Sequence, residues 1–258
     1  AKAVIKRLDV MAGFTLRLHA DAPWGTGLGS SSTHIVAVLG VFSHWLRLGL
    51  TDYELAEMAF QLERVDIGQA GGRQDQYSAT FGGFNFIEFG ENGTMVSPLL
   101  VENAVLHELH YRLLLCSLGR TRRSSEILED QINLYVTNNS NTVEALHNQK
   151  RIAYEMKTAL LTGNVNDMGS LLHVGWLEKR RVSSLVSNSL IDDVYEDARG
   201  LGALGGKVLG AGGGGHMLFL CSEEGKVQLH QRLVSRGLEC VGFAFDPNGL
   251  TVWESSSG

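Results

Sequence analysis

The sequence predicts an α+β fold in two lobes, and three observations lead to that prediction. Glycine is in surplus, with 31 of 258 residues, or about 12% against a globular average of ~7%. Hydrophobic residues make up 44% of the chain and proline only three residues, which excludes a disordered low-complexity chain; collagen is excluded because no G-x-y period is present. Third, the spacing of apolar residues along the chain changes repeatedly between the two-residue period of a strand and the 3.6-residue period of a helix.

The first lobe, predicted over residues 1–105, contains the first strand and the first glycine cluster. Residues 14–20 alternate apolar and polar side chains, which predicts a half-buried strand. A loop with three glycines follows at residues 25–29, and three serines then open an apolar helix that is expected to reach Leu48 and to be stopped by Gly49.

The rest of the first lobe carries two further local signals. Thr51 and Glu54 have the spacing of a capping box, which predicts a second helix. Residues 84–89 and 95–98 flank Asn92-Gly93, and this dipeptide between two apolar runs predicts a β-hairpin.

The second lobe, predicted over residues 106–258, reads as strands separated by helices. A long, mainly helical stretch is expected over residues 124–199. The other predicted elements are strands at 111–116, 207–209, 216–221 and 239–245 and a helix at 223–236. This β-α-β-β-α-β order predicts a split βαβ, ferredoxin-like layer.

Composition restricts the class of partner. The chain has 22 basic and 28 acidic residues and a formal net charge of -6, whereas nucleic-acid or membrane-surface binders need a basic footprint. No apolar stretch has the ~20 residues of a membrane span, and no secretory signal is recognisable.

Three widely spaced cysteines, Cys116, Cys221 and Cys240, are typical of reduced thiols in the cytoplasm. Because no methionine begins the chain, we expect residues upstream.

The glycines concentrate where a phosphate could be bound. Three lie in residues 25–29, five in 68–83 and nine in 200–215. The first cluster joins a predicted strand to a serine-rich helix start, an arrangement that offers unpaired N–H groups to an anion. Residues 200–205 match G-x-G-x-x-G, but they follow a helix and precede a strand, the reverse of a dinucleotide-binding context, which disfavours a Rossmann oxidoreductase.

Two motifs resemble those of the GHMP small-molecule kinases. The run Pro23-x-Gly25-x-Gly27-Leu28-Gly29-Ser30-Ser31-Ser32 is similar to their phosphate-binding motif, and residues 207–215 are similar to their late glycine-rich motif. The resemblance implies a two-lobed GHMP-kinase-like fold, with an N-terminal βα lobe and a C-terminal ferredoxin-like lobe. It also implies that ATP is bound by the first motif and by Gly212, Gly213 and Gly214, and that the late motif closes against the phosphate loop.

Several other segments resemble the sugar-kinase branch of this family, which includes heptose 7-phosphate kinases and the kinase half of fucokinase. They are residues 71–77, 81–85, 124–128, 176–180 and 202–207. The resemblance implies transfer of a phosphoryl group to the anomeric hydroxyl of D-glycero-D-manno-heptose 7-phosphate. Alternatives are fucokinase or another GHMP sugar kinase, and a nucleotide-binding pseudokinase. Residues 1–20 lack the Gly-Gly-Gly-Thr-Asp-like segment that the family carries near its N-terminus.

The resemblance also assigns chemical roles. It implies that Ser31 and Glu63 hold Mg²⁺, which suits an ion that takes one or two protein oxygens beside phosphate oxygens; the alternative for Glu63 is an ion pair with Arg64. It implies that Asp75 lies beside the substrate hydroxyl, where a carboxylate either accepts the proton or orients the O–H. The alternative for Asp75 is a helix N-cap.

A phosphorylated sugar also needs cationic groups around its phosphate. The candidate substrate residues are Arg73, Gln76, Arg123 and Lys179, with Arg73 ranked first because it is a neighbour of Asp75 in sequence. Arg122 and Arg180 are further candidates, and plain surface charge is the alternative for the cations at 122, 123, 179 and 180. The expected partner is a small sugar phosphate rather than a nucleic acid or a membrane, and oligomeric state stays open.

Overall fold

The computed structural model describes residues 1–22, 25–119 and 124–255. It divides into two compact units. The first holds the described residues of Ala1–Pro23, Gly29–Pro98 and Phe245–Gly258, and the second holds those of Trp24–Leu28 and Leu99–Ala244. Within the described residues, none of the helices combines the length and the apolarity that crossing a lipid bilayer requires.

The first unit is a small helical layer with one hairpin. Its helices are α1 (Lys2–Arg7), α2 (Ser30–Trp45), α3 (Asp52–Phe60) and α4 (Gln74–Phe81), and its strands are β1 (Asn85–Gly90) and β2 (Gly93–Pro98). Its core forms where α2 and α3 meet, around the buried side chains of Leu39, Phe42 and Leu62. Removing these apolar surfaces from water is the main force that holds the helices together.

Two local predictions for this unit are confirmed. Thr51 caps α3, accepting a hydrogen bond from the Glu54 N–H while the Glu54 carboxylate accepts one from the Thr51 N–H. The strands β1 and β2 pair antiparallel, with Ile87 opposite Val96. One feature was not predicted: α3 continues into a π-helical turn over Gln61–Asp66, a wide turn that is frequent at functional sites.

The predicted strand over residues 14–20 is wrong. This segment has neither helix nor strand geometry and is mostly exposed. A strand needs a neighbour for its main-chain hydrogen bonds, and none of the described strands pairs with it. Phe14 instead packs its ring edge-on against Phe42, with 5.0 Å between the centroids. The helix predicted to reach Leu48 ends at Trp45.

The second unit is a sheet with helices around it. Its helices are α5 (Asn103–Arg112), α6 (Ser124–Val136), α7 (Ser140–Leu161), α8 (Val165–Val182), α9 (Ser189–Gly200) and α10 (Gly225–Ser235), and its strands are β3 (Leu113–Gly119), β4 (Ala203–Val208), β5 (Gly215–Cys221) and β6 (Glu239–Val241). The four strands are antiparallel in the order β4-β5-β3-β6. This order confirms the split βαβ prediction.

The core of the second unit lies under this sheet, where Trp176, Phe219 and Leu229 are fully buried. The last strand is shorter than predicted: it ends at Val241, and the carbonyl oxygen of Phe243 lies 2.8 Å from a ring nitrogen of His110 instead of in a strand ladder. All three cysteines carry free thiols, as expected.

Helix α8 lies directly on strand β4. A Cβ atom on Gly205 of the strand would overlap the carbonyl oxygen of Gly169 and stand 2.6 Å from the amide nitrogen of His173 on the helix. Only glycine permits two backbones to approach so closely. The approach brings the C-terminal turn of α8 beside the end of β4 and the glycine-rich loop that follows it.

Candidate functional site

The two glycine-rich motifs touch within the second unit. A Cβ atom on Gly27 would stand 2.6 Å from the carbonyl oxygen of Leu209, and one on Gly210 would stand 2.9 Å from the Cα of Gly27. A ring nitrogen of His216 lies 2.9 Å from the carbonyl oxygen of Thr26. The late motif therefore lies against Thr26 and Gly27 of the first motif, with main chain against main chain, as the resemblance implied.

The loop between β4 and β5 owes its shape to glycine. Gly212, Gly213 and Gly214 have φ angles of 116°, 74° and 153°, in a region that side-chain-bearing residues rarely adopt. The N–H of Gly213 donates to the carbonyl of Val186 at 2.8 Å, and a Cβ on Gly212 would stand 2.7 Å from the same oxygen. The N–H of Gly213 thus has a partner within the protein, and the glycines permit the turn itself.

The first motif continues into helix α2 of the first unit. Pro23 lies outside the described residues, Gly25, Gly27 and Leu28 belong to the second unit, and the division falls before Gly29. Gly29 is the N-cap of α2 with a φ of 70°, and no described side chain caps the helix. Ser30, Ser31 and Ser32 form its first turn, where N–H groups and the positive end of the helix dipole favour an anion.

Glu63 is buried in a cluster of polar side chains in the first unit. Its Oε2 atom accepts hydrogen bonds from the Ser32 hydroxyl and from the Gln76 amide, both at 2.6 Å. The same amide also donates to the Ser32 oxygen at 3.2 Å. The three side chains are at most 1% exposed, and the Oε1 atom of Gln76 has no hydrogen-bond partner among the described residues.

The hydroxyl that reaches Glu63 belongs to Ser32, whereas the Ser31 hydroxyl donates to Oε1 of Gln69 at 3.3 Å. Successive residues of a helix point about 100° apart, so only one of the two hydroxyls can face Glu63. Oε1 of Glu63 stands 3.6 Å from the guanidinium of Arg64. The ion pair considered from the sequence is present, although Glu63 is buried rather than on the surface.

These oxygens fit a magnesium ion that also binds phosphate. Carboxylate and hydroxyl oxygens are hard ligands, and Mg²⁺ bound with phosphates takes one or two from the protein. The part of the chain that the structure describes holds no group of three or more His, Cys, Asp or Glu residues arranged to bind a metal. A two-oxygen site completed by phosphate and water fits this chain better than an all-protein cage.

Asp75 lies beside the N-terminus of α2. A Cβ on Gly29 would stand 3.4 Å from its carboxyl carbon. Burial raises the pKa of the Asp75 carboxyl; the charge of Arg64 opposes that shift and the charge of Glu63 adds to it. The N-cap of α4 is Arg73 rather than Asp75, so the capping role considered for this aspartate is wrong.

Most of the candidate cations already have partners. Arg73 pairs with Glu57 at 2.8 Å and its guanidinium lies 4.3 Å from the ring centroid of Phe60, whereas Arg180 pairs with Asp192 at 3.1 Å. Arg122 and Arg123 lie outside the described residues. Lys179 donates a hydrogen bond to the carbonyl of Gly210.

Sequence reasoning missed Lys207 as a functional candidate. It lies on β4, and burial lowers the pKa of its ammonium group. The signal that could have revealed it is a lysine inside a mainly apolar strand.

Comparisons with known proteins agree with these motifs. The family model described as GHMP kinases N terminal domain matches residues 1–83, and the one described as GHMP kinases C terminal matches residues 156–237. D-glycero-alpha-D-manno-heptose 7-phosphate kinase of Campylobacter jejuni is 38% identical over 241 residues, which are 93% of this chain and 70% of that protein.

A fucokinase and a solved heptose kinase structure are also similar to this chain. A bifunctional fucokinase/GDP-fucose pyrophosphorylase of Arabidopsis thaliana is 27% identical over 225 residues, which are 86% of this chain but 21% of that protein. The solved structure of a D-glycero-D-manno-heptose 1-phosphate kinase from Bacteriodes thetaiotaomicron superposes with a TM-score of 0.79 at 32% identity, covering 99% of this chain and 74% of that one.

Proposed function

The chain belongs to the GHMP kinase family, and on that premise we propose that it is an ATP-dependent sugar kinase. Its first candidate acceptor is D-glycero-D-manno-heptose 7-phosphate, phosphorylated at the anomeric hydroxyl. Support for the acceptor comes from the Campylobacter jejuni relative and from the heptose kinase structure that this fold matches. We further propose that the lobes predicted at 1–105 and 106–258 act as the two functional halves.

The position of Asp75 is the observation that carries the proposal. Its carboxylate lies against Gly29, at the helix terminus where we propose that the phosphates of ATP bind. There it accepts the proton of the attacking hydroxyl or orients that O–H along the line of attack. The raised pKa of this carboxyl makes it a better proton acceptor than an exposed aspartate.

The glycine-rich motif serves as the phosphate cradle. Residues 25–32 offer main-chain N–H groups and the serine hydroxyls to the phosphates of ATP. Bound Mg²⁺ would neutralise negative charge on the phosphates during the transfer. Glu63, with Ser31 or Ser32, would hold that ion. Gln76 donates a hydrogen bond to the Glu63 carboxylate and would hold it in place. A contact between Gln76 and the sugar stays a prediction.

Fucokinase is the second candidate, because the Arabidopsis thaliana relative carries that name. The pseudokinase alternative is disfavoured, because Ser31, Glu63 and Asp75 are all retained. The two heptose kinases also differ in name as to the phosphate position, 7 in one and 1 in the other. The acceptor must therefore be tested directly.

The test is an ADP-release assay on the protein with heptose 7-phosphate, heptose 1-phosphate, fucose, galactose and mannose. Asp75→Asn is expected to lower kcat by about 10²–10⁴-fold with little change in ATP affinity. The matched control is Asp9→Asn, at an exposed position with a φ of 48° that asparagine tolerates. Near-normal turnover in Asp75→Asn refutes the catalytic assignment, and turnover of fucose alone moves the proposal to fucokinase.

A further inference from the structure

The basic run at the end of helix α8 contains one cation that differs from the other two. Arg180 pairs with Asp192 at 3.1 Å, and Arg181 pairs with Glu144 at 2.7 Å. Lys179 bonds to a main-chain carbonyl, that of Gly210. Among the described residues, no Asp or Glu lies within ion-pair distance of Lys179 or of Lys207.

The fold brings these two lysines together. The close approach of α8 to β4 at Gly205 sets the helix over the strand. Alternate residues of a strand share a face, so Lys207 points to the same side as Gly205, the side on which α8 lies. Lys179 is in the last turn of α8 and reaches Gly210, three residues beyond Lys207.

Two neighbouring cations without a carboxylate are unfavourable in a partly buried position. Burial and, as the smaller cause, the charge of Lys207 together lower the pKa of Lys179 to about 7. Both side chains nevertheless keep part of their surface exposed, so an anion from solvent can reach them. An ammonium group has three N–H donors, and the bond to Gly210 uses one of those of Lys179.

We propose that Lys179 and Lys207 together bind a phosphate group at the glycine-rich loop of the second unit. A phosphate dianion neutralises both charges and accepts the remaining N–H donors. Either the nucleotide or the phosphorylated sugar can bring such a group. The inference rests on the proposed kinase function. The sequence had named Lys179 as a candidate; the inference adds Lys207 as its partner and a phosphate group as their common ligand.

The test measures binding without turnover. Isothermal titration with ADP, heptose 7-phosphate, adenosine and mannose is carried out on the wild type, Lys179→Met and Lys207→Met. Lys226→Met is the matched control, because Lys226 also donates to a main-chain carbonyl, that of Tyr111. At least a tenfold loss of affinity is expected for one phosphorylated ligand in both variants, with no loss for the unphosphorylated ligands or in the control.

Loss for ADP alone assigns the bound phosphate to the nucleotide, and loss for heptose 7-phosphate alone assigns it to the sugar. Unchanged affinity for both ligands in folded variants overturns the proposal. If the protein binds these ligands through the lysines but transfers no phosphoryl group, the kinase proposal fails and this one stands.

A second measurement on the wild type covers the case in which Lys207→Met does not fold. Acylation of Lys179 by an amine reagent at neutral pH is compared with and without each phosphorylated ligand, with Lys226 as the internal reference. A bound phosphate is expected to slow labelling of Lys179 at least fivefold and to leave Lys226 unchanged. Equal labelling rates at saturating ligand refute the site.

Discussion

Replacing Gly205 with alanine tests the contact that positions helix α8 on strand β4. The new methyl group would overlap the carbonyl oxygen of Gly169 and stand 2.6 Å from the nitrogen of His173, where ordinary contacts are 3.4–4 Å. Both neighbours are main-chain atoms of one helix, so no side-chain rotation can relieve the overlap. The whole helix must move away from the sheet.

The expected cost is at the upper end of what overpacking causes in protein cores, about 3 kcal/mol. For a chain of this size that corresponds to a fall in Tm of about 6–12 °C. The assay is thermal unfolding followed by far-UV circular dichroism. Since the displacement also separates Lys179 from the end of β4, affinity for the phosphorylated ligand is expected to fall in the same variant.

Gly200→Ala is the matched control. Gly200 belongs to the same G-x-G-x-x-G run but ends helix α9, and a Cβ there would meet nothing within 4 Å. We expect no loss of stability, or a gain of up to about 0.5 kcal/mol, because alanine favours the helix. A Tm for Gly205→Ala within about 2 °C of the wild type would refute the reasoning.

Two further predictions concern the first glycine motif and Asp75. Gly27→Ala should raise the KM for ATP at least tenfold, because its φ of 76° costs alanine about 1–2 kcal/mol and its Cβ would stand 2.6 Å from the oxygen of Leu209. Gly49→Ala has a similar φ of 64° with nothing within 4 Å and should lose stability alone; equal KM values in the two variants would contradict the packing argument. For Asp75, burial raises the pKa of the carboxyl in the folded state, so its ionisation destabilises the protein as pH rises above the unfolded value of about 3.9. Asp75→Asn should therefore raise Tm at neutral pH but not in acid, and the acid limb of the wild-type kcat/KM profile should lie above the ordinary aspartate range; a Tm gain that persists in acid would exclude this cause.

Elements whose determinants are neighbours in the sequence could be predicted. The capping box of Thr51 and Glu54 and the Asn92-Gly93 hairpin each depend on a few adjacent residues. The strand over residues 14–20 could not be judged in this way, because a strand exists only if another strand accepts its hydrogen bonds. Alternating polarity describes one face and says nothing about a partner.

The candidate site was likewise predictable only where it depends on residues that are neighbours in the sequence. Asp75 and Glu63 were found through the motifs around them, but the motifs did not reveal that Ser32 rather than Ser31 contacts Glu63. That choice depends on how α2 is rotated about its axis when it packs. The π-helical turn that carries Glu63 likewise was not predicted from the local sequence.

The sequence by itself determined the family, the split βαβ order of the second unit and the positions of the glycine-rich turns. These depend on residue identity and on local backbone freedom, which the chain carries in any conformation. Only the tertiary structure decided which charges are neutralised: Arg73 is paired with Glu57, and Arg180 is paired with Asp192. Among the described residues, neither Lys179 nor Lys207 has a carboxylate partner, which is why we propose an anion there. An ion pair depends on the distance between residues far apart in the chain, and that distance exists only once the helices and the sheet have packed.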